Sequence, residues 1–169
     1  MLSEKMLAEL NEQINAELYS AYLYLSMSAW FEDENLPGFA AWMRVQAQEE
    51  TDHAMRFFAY VTERGGRVKL GAIEQPPAEW DSPVKAFENV LEHEQKVTSL
   101  IHKLVELARG ENDYATEAML QWFVNEQVEE EASADDILQK LRRLEDSPQG
   151  LFMLDSKLAE RKAEGDEGQ

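Results

Sequence analysis

Glu50 and His53 stand three residues apart in the run Gln46-Ala47-Gln48-Glu49-Glu50-Thr51-Asp52-His53. On a helix such a pair lies side by side on one face, so a carboxylate and an imidazole can reach the same point in space. Stepping by three and four residues, that face also carries Phe39, Met43, Gln46, Phe57 and Tyr60. The two ionisable groups therefore occupy positions in an apolar stripe where core residues belong. A carboxylate placed in a core has to be paired, protonated or bound to a metal ion.

Three further stripes carry polar groups at their centres. One reads Leu7, Leu10, Ile14, Glu17, Ala21, Tyr24, Ser28; the next Phe87, Val90, Glu94, Val97, Ile101, Leu104; the last Leu120, Phe123, Gln127, Glu130, Ala134, Ile137, Leu141. Glu17 and Glu50 are 33 residues apart, as are Glu94 and Gln127, with 77 between corresponding members of the two halves. A helix pair repeated once accounts for both spacings. Taken singly, a Glu-x-x-His arises often by chance, and the acidic run Glu126 to Glu131 suits a solvated face. Four stripes interrupted at one height are hard to explain as surface charge.

Glu17, Glu50, Glu94 and Glu130 would bring four negative charges into one low-dielectric layer, which two divalent cations would neutralise. Carboxylate oxygens with one imidazole and no sulfur suit iron or manganese better than structural zinc or copper(I). Glu50 can bridge from the centre, His53 completes one site with Glu17, and Glu94 with Glu130 builds the other. Gln127, a neutral ligand or a hydrogen-bonding support, leaves the second site poor in ligands.

The chain has 169 residues, enough for one domain with a substantial core. Its 34 acidic and 16 basic residues give a net charge of −18. That balance argues against nucleic acid or anionic membrane as a partner and favours cations, although solubility alone would produce the same number. No stretch of 18 uninterrupted apolar residues occurs, and Met1-Leu2-Ser3-Glu4-Lys5 lacks the apolar core of a signal peptide, so a cytoplasmic location is expected. The absence of cysteine excludes disulfides, thiolate catalysis, iron–sulfur clusters and sulfur-ligated iron.

Five helices would position these residues. The first is expected from an N-cap at Ser3 to about Phe31; the second opens at Pro37-Gly38 and stops at Gly65-Gly66. Residues 65–82 show no sustained period. A helix of about 29 residues is roughly 43 Å long and some 18 extended residues span about 60 Å, so this segment can return the chain along the whole bundle. The second and third helices would then run parallel. Ser82-Pro83 starts the third helix, which ends near Arg109-Gly110; the fourth runs antiparallel from about Asp113 to Glu145, and Ser147-Pro148 starts a short fifth. Residues 1–162 form the domain, and 163–169 are expected to be a disordered acidic tail.

Asn15-Ala16-Glu17 with Tyr24, Gln48-Glu49-Glu50-Thr51-Asp52-His53, Glu94, and Asn125-Glu126-Gln127-Val128-Glu129-Glu130-Glu131 together resemble the non-haem ferritins of the prokaryotic type, over nearly the whole chain. The resemblance implies an all-α, ferritin-like four-helix bundle with a long crossover and a short fifth helix, of the class in which paired helices supply carboxylates and Glu-x-x-His to two irons. The second pair here is Gln127 and Glu130, where bacterioferritins resemble the full Glu-x-x-His form. Thr51 and Asp52 stand where bacterioferritins carry a haem-ligating Met, so no haem is expected. Unlike DNA-protecting mini-ferritins, the chain has a fifth helix and no basic tail.

The resemblance further implies that two iron(II) ions bind per centre, are oxidised by dioxygen or hydrogen peroxide, and pass as ferric mineral into a hollow cage of twenty-four subunits. A ligand-poor second site fits that fate, because it releases ferric iron more readily than a closed one. Glu49, Glu126 and Glu129 match a third iron site in the family, sharing Glu130, with a solvated acidic face as the alternative. The family places a tyrosine like Tyr24 beside the irons as an electron source; a core aromatic with a buried hydroxyl bond accounts for it nearly as well. Trp122 reads as packing, and His93 and His102 as surface or interface residues. Glu111, Asp113 and Glu117 could line an iron entry pore.

Two other functions compete with storage. A di-iron or di-manganese peroxidase or oxygenase would turn over a small substrate without accumulating mineral. A purely structural bundle, its polar layer setting helix register, would be indifferent to metal and leaves the 33-residue spacing unexplained.

Overall fold

Ser3 accepts a hydrogen bond from the Met6 amide at 3.0 Å and so opens the first helix, α1 (Glu4–Asp33). A computed structural model of the chain describes residues 1–144 and 146–162; the expected acidic tail lies outside the described residues. α2 (Pro37–Glu63), α3 (Pro83–Gly110), α4 (Tyr114–Leu144) and α5 (Pro148–Leu158) follow, with no strand among the described residues. Ser82 and Ser147 cap α3 and α5, and each of these helices has proline in its first turn. Among the described residues no helix is long and apolar enough to cross a membrane.

The α1–α2 and α3–α4 turns each pass through an asparagine in the left-handed region, Asn35 (φ 58°) and Asn112 (φ 57°). Asparagine tolerates that conformation better than other residues with a side chain beyond Cβ. Each turn reverses the chain, so α1 pairs with α2 and α3 with α4, while α5 packs on α2 and α4. Phe39 and Phe87, near the starts of α2 and α3, meet with ring centroids 5.9 Å apart, so these two helices run parallel as the long connection requires. Residues 64–82 return along α1. Asn11 donates to the Arg67 carbonyl and accepts from the Lys69 amide, Asn15 donates to the Ala72 carbonyl, and Ser26 to the Pro77 carbonyl. Four polar contacts thus hold a segment with almost no regular structure of its own.

The apolar core is divided. At one end Phe31, Phe39, Phe87, Met43, Ile137 and Leu141 pack together; at the other, Met6, Leu10, Phe57, Ile101, Leu120 and Phe123 do so. Phe57 and Phe123 stack with centroids 4.0 Å apart, and each side chain removed from water contributes about 1.5–3 kcal/mol. Between the two clusters lies the layer of Gln13, Glu17, Ser20, Glu50, His53, His93, Glu94, Gln127 and Glu130, all buried. The apolar ends stabilise the bundle while the layer between them is costly to bury.

α5 is attached through an uncommon cap. Leu36, at the N-cap of α2, makes no side-chain capping bond. Instead Asp155, from α5, accepts from the Phe39 amide at 3.0 Å, satisfying one of the unpaired donors of that helix start. Gly38 leaves the room for it: a Cβ there would lie 1.7 Å from the Asp155 carbonyl oxygen.

Candidate metal centre

Each of the four long helices delivers its polar residues to the layer because the flanking positions of the same stripe are apolar and buried. Glu17 comes from α1, Glu50 and His53 from α2, Glu94 from α3, and Gln127 and Glu130 from α4. Side-chain ligand atoms of Glu17, Glu50 and His53 all lie within 4.8 Å of one another, and so do those of Glu50, Glu94 and Glu130. Glu50 belongs to both groups. His53 Nδ1 lies 3.4 Å from Glu50 Oε2, the i, i+3 proximity that the helix geometry dictates.

Burial raises the carboxyl groups. Glu17 is lifted well above the ordinary range by desolvation and then by the charge of Glu50; Glu50 is lifted by desolvation and then by Glu94 and Glu130. Glu130 is pushed up to about 8, by burial first and by Glu94 second. Glu94 is also raised by burial, against the opposing effect of the bonds that it accepts from Tyr24 and Gln127. Without cations, the layer therefore keeps protons at neutral pH that exposed carboxylates would release. Oxygen donors with one imidazole and no sulfur fit a hard divalent cation, and two such ions would replace those protons.

A ring of side chains holds the ligand groups. Gln13 donates to Glu17 Oε1 at 2.8 Å; Gln46 donates to Glu130 Oε2 at 2.6 Å and to Glu50 Oε1 at 3.3 Å. Gln127 Nε2 lies 3.1 Å from Glu94 Oε2, 3.2 Å from the Glu94 carbonyl oxygen and 3.3 Å from Thr98 Oγ1. Of the two roles open to Gln127, the hydrogen-bonding one is occupied. The Tyr24 hydroxyl donates to Glu94 Oε1, and burial followed by the Glu94 charge raises its pKa well above the usual tyrosine value. The Trp122 ring meets His53 edge-on at 5.4 Å, with the Arg56 guanidinium 3.9 Å above it, so the packing expected of Trp122 includes screening the imidazole.

The acids matched to a third site are arranged less tightly. Glu126 Oε1 lies 3.9 Å from His53 Nε2, and His53, Glu126 and Glu130 form a third group within 4.8 Å. Glu49 pairs with Arg161 at 2.5 Å. Glu129 is exposed and shares a cavity wall with Glu49, Glu126, Glu130 and Ser133.

One sequence expectation needs correction. His93 is buried rather than a surface residue: its Nε2 lies 2.8 Å from Ser20 Oγ, and its ring meets Tyr24 edge-on at 6.0 Å. The turn of about 100° that takes its side chain off the Glu94 face points it at α1, which packs on α3. Desolvation holds its imidazole down at about 4, so it is neutral at pH 7. The acids suggested for an entry pore also bond within the chain: Asp113 pairs with Arg64 and accepts from the Thr116 amide, Glu117 accepts from Arg109, and Glu111 from Ser3. Sequence reasoning did not assign Gln13, Gln46, Thr98 or Arg161 to the centre. For Gln13 the i, i+4 spacing to Glu17 was the available signal; for Arg161, beyond the last helix, there was none.

The sequence pattern of the Ferritin family, described as a ferritin-like domain, matches residues 7–144. The bacterial non-heme ferritin of Bacteroides fragilis (strain 638R) is 47% identical over 161 residues, covering 95% of this chain and 100% of the relative. That of Escherichia coli O157:H7 is 41% identical over 159 residues, covering 94% and 96%. Among solved structures, an open-pore ferritin from the hyperthermophilic archaeon Archaeoglobus fulgidus superposes with a TM-score of 0.95 at 59% identity, over 96% of this chain and 100% of that one. With helix order, polar layer and sequence all in agreement, the chain belongs to the ferritin family, as a non-haem ferritin of the prokaryotic type.

Proposed function

We propose that the chain stores iron, taking iron(II) as substrate at Glu17, Glu50, His53, Glu94 and Glu130 and oxidising it there. The observation that carries this reading is the convergence of five buried ligand groups from four helices, with Glu50 common to both halves of the set. Ferritins in general act as ferroxidases and store iron in cages, and the relatives named bacterial non-heme ferritin support the same activity here. Dioxygen or hydrogen peroxide is the proposed oxidant: two iron(II) ions give up two electrons, reducing dioxygen with two protons to hydrogen peroxide, or hydrogen peroxide to water.

The side chains would carry out the supporting steps. Arrival of two ions displaces the protons that burial keeps on Glu17, Glu50 and Glu130, so uptake of iron releases protons to solvent. Gln13 holds one oxygen of Glu17, Gln46 one oxygen each of Glu130 and Glu50, and Tyr24 and Gln127 the two oxygens of Glu94, limiting how far the ligands can swing when the ion's charge and size change. The apolar clusters on either side keep bulk water from the layer. With the Gln127 amide nitrogen bonded to Glu94, the second position has no nitrogen ligand to match His53. Glu126, Glu129, Glu130 and Glu49 then form the proposed third position, on the way to the interior of a cage of twenty-four chains. No haem takes part, and the cytoplasm, where reducing conditions supply iron(II), is the proposed compartment.

Addition of iron(II) in air to metal-free protein, followed by ferric absorbance and size-exclusion chromatography with iron detection, tests the proposal. Storage requires iron well beyond three ions per chain to co-elute with a large particle, and oxidation to slow in Glu50→Ala and His53→Ala. Uptake that stops at two ions on a small species overturns storage in favour of a redox enzyme.

A further inference from the structure

Arg161 lies beyond α5, outside the four long helices, yet it reaches the polar layer. One guanidinium nitrogen, Nη1, donates to Gln46 Oε1 at 2.8 Å; the other, Nη2, donates to Glu49 Oε2 at 2.5 Å. The guanidinium plane also sits over the Trp42 ring, its Cζ 4.4 Å from the ring centroid. Three contacts on three sides fix a side chain that would otherwise be free to rotate.

A guanidinium can only donate hydrogen bonds. It therefore requires Gln46 to present its oxygen toward Arg161, which turns the amide nitrogen toward Glu130 and Glu50, at 2.6 and 3.3 Å. In the opposite amide orientation, the Gln46 oxygen would face two carboxyl groups and its nitrogen would face a cation. The end at Arg161 would then be mismatched in any state, and the end at the carboxyl groups as soon as they ionise to take up metal. We propose that Arg161 is a positioning residue for the second metal position, locking the Gln46 amide so that Glu130 and Glu50 are held ready for the ion, while its other nitrogen occupies Glu49. Through the first contact it strengthens the second metal position. Through the second it competes with any cation that approaches Glu49, so that the paired positions fill before the outer acidic group does.

This inference rests on the assignment of Glu50 and Glu130 as iron ligands. Anaerobic calorimetric titration of the metal-free assembled protein with iron(II), repeated with zinc(II) as a redox-inert probe, tests both parts without relying on turnover. In Arg161→Met the second binding event is expected to weaken about ten- to a hundredfold, the usual cost of removing a residue that orients a ligand. Any binding event beyond the second strengthens. Arg161→Lys separates the two contacts: one ammonium can still pair with Glu49 but cannot hold Gln46 at the same time, so the later event stays weak and the second site remains impaired. In a Gln46→Leu background, Arg161→Met should have no further effect on the second event, because the intermediary is gone. A wild-type chain that fails to bind two ions overturns the metal assignment and this inference together. A wild-type chain that binds two, with Arg161→Met giving the same isotherm or Arg161→Met adding fully to Gln46→Leu, overturns the role of Arg161 alone.

Discussion

Gln127 donates from one amide nitrogen to Glu94 twice, to its main-chain oxygen at 3.2 Å and to its carboxylate Oε2 at 3.1 Å. The two residues are the central polar positions of α3 and α4, so the bond ties these helices together at the height of the metal layer. It also orients the Glu94 carboxylate that the second ion would share. Gln127→Leu keeps the volume and removes the donor. The second iron(II) is expected to bind about ten- to a hundredfold more weakly in anaerobic titration, with the first unaffected.

Protons and metal ions compete for the layer, and this predicts a pH dependence with a definite sign. Glu130 titrates at about 8 in the folded chain against 4.5 ordinarily, so between these values the folded chain holds a proton that the unfolded chain has lost. Stability of the metal-free protein therefore falls as pH rises through that window and levels off above it; Glu17, Glu50 and Glu94, raised in the same direction, add to the fall. His93 acts with the opposite sign. Its folded value of about 4 lies below the ordinary 6.5, so its contribution is complete above 6.5 and is lost as pH falls toward 4. Thermal unfolding of metal-free protein should show a midpoint that declines from pH 6.5 to 8, where the carboxyls alone contribute. Saturating zinc(II) should abolish the decline, because the ions replace the protons.

Tyr24 supplies the hydroxyl that Glu94 Oε1 accepts. Tyr24→Phe leaves that oxygen without its donor in a buried layer, at a cost of about 1–3 kcal/mol to metal-free stability in urea unfolding. If the tyrosine also serves the irons, stopped-flow ferric absorbance should show oxidation slowed about tenfold, the lower end of what removing such a support does. Unchanged oxidation with lowered stability would confine Tyr24 to the core.

The docking of α5 depends on Gly38 and Asp155. Gly38→Ala drives a Cβ to 1.7 Å from the Asp155 carbonyl, so α5 must move, with an expected loss of about 1–3 kcal/mol. Asp155→Ala removes only the cap on the Phe39 amide and should cost about 0.5–2 kcal/mol. Denaturant midpoints would rank the two. Both variants should also weaken the second metal event if Arg161, carried on the segment after α5, is displaced with the helix.

Helix existence and the identity of the polar layer were legible because both follow from local periodicity. A stripe recurring every three to four residues places Glu17, Glu50, His53, Glu94 and Glu130 on inward faces regardless of how the helices pack, and equal spacing puts them at one height. The 77-residue offset between halves recurs in the turns, where Asn35 and Asn112 both take the left-handed conformation. Connection lengths alone then decided that α2 and α3 run parallel.

Tertiary structure decided what lies around that layer. Which neighbours turn toward a helix flank depends on interhelical packing, which periodicity does not encode; hence His93 is buried against Ser20 and neutral, where a position adjacent to Glu94 read as surface. The support of Glu130 by Gln46 and of Glu94 by Gln127 needs side-chain reach across helices, and an amide in an apolar stripe has the same pattern whether it packs or bonds. Arg161 is the extreme case: 112 residues separate it from Glu49, and only the docking of α5 through Asp155 and Gly38 brings its charge to the layer. The chain alone specified which groups meet at the centre, because helical geometry is local. Their protonation, orientation and counter-ions were settled by contacts between elements distant in sequence, because desolvation and hydrogen bonding depend on everything that surrounds a group in space.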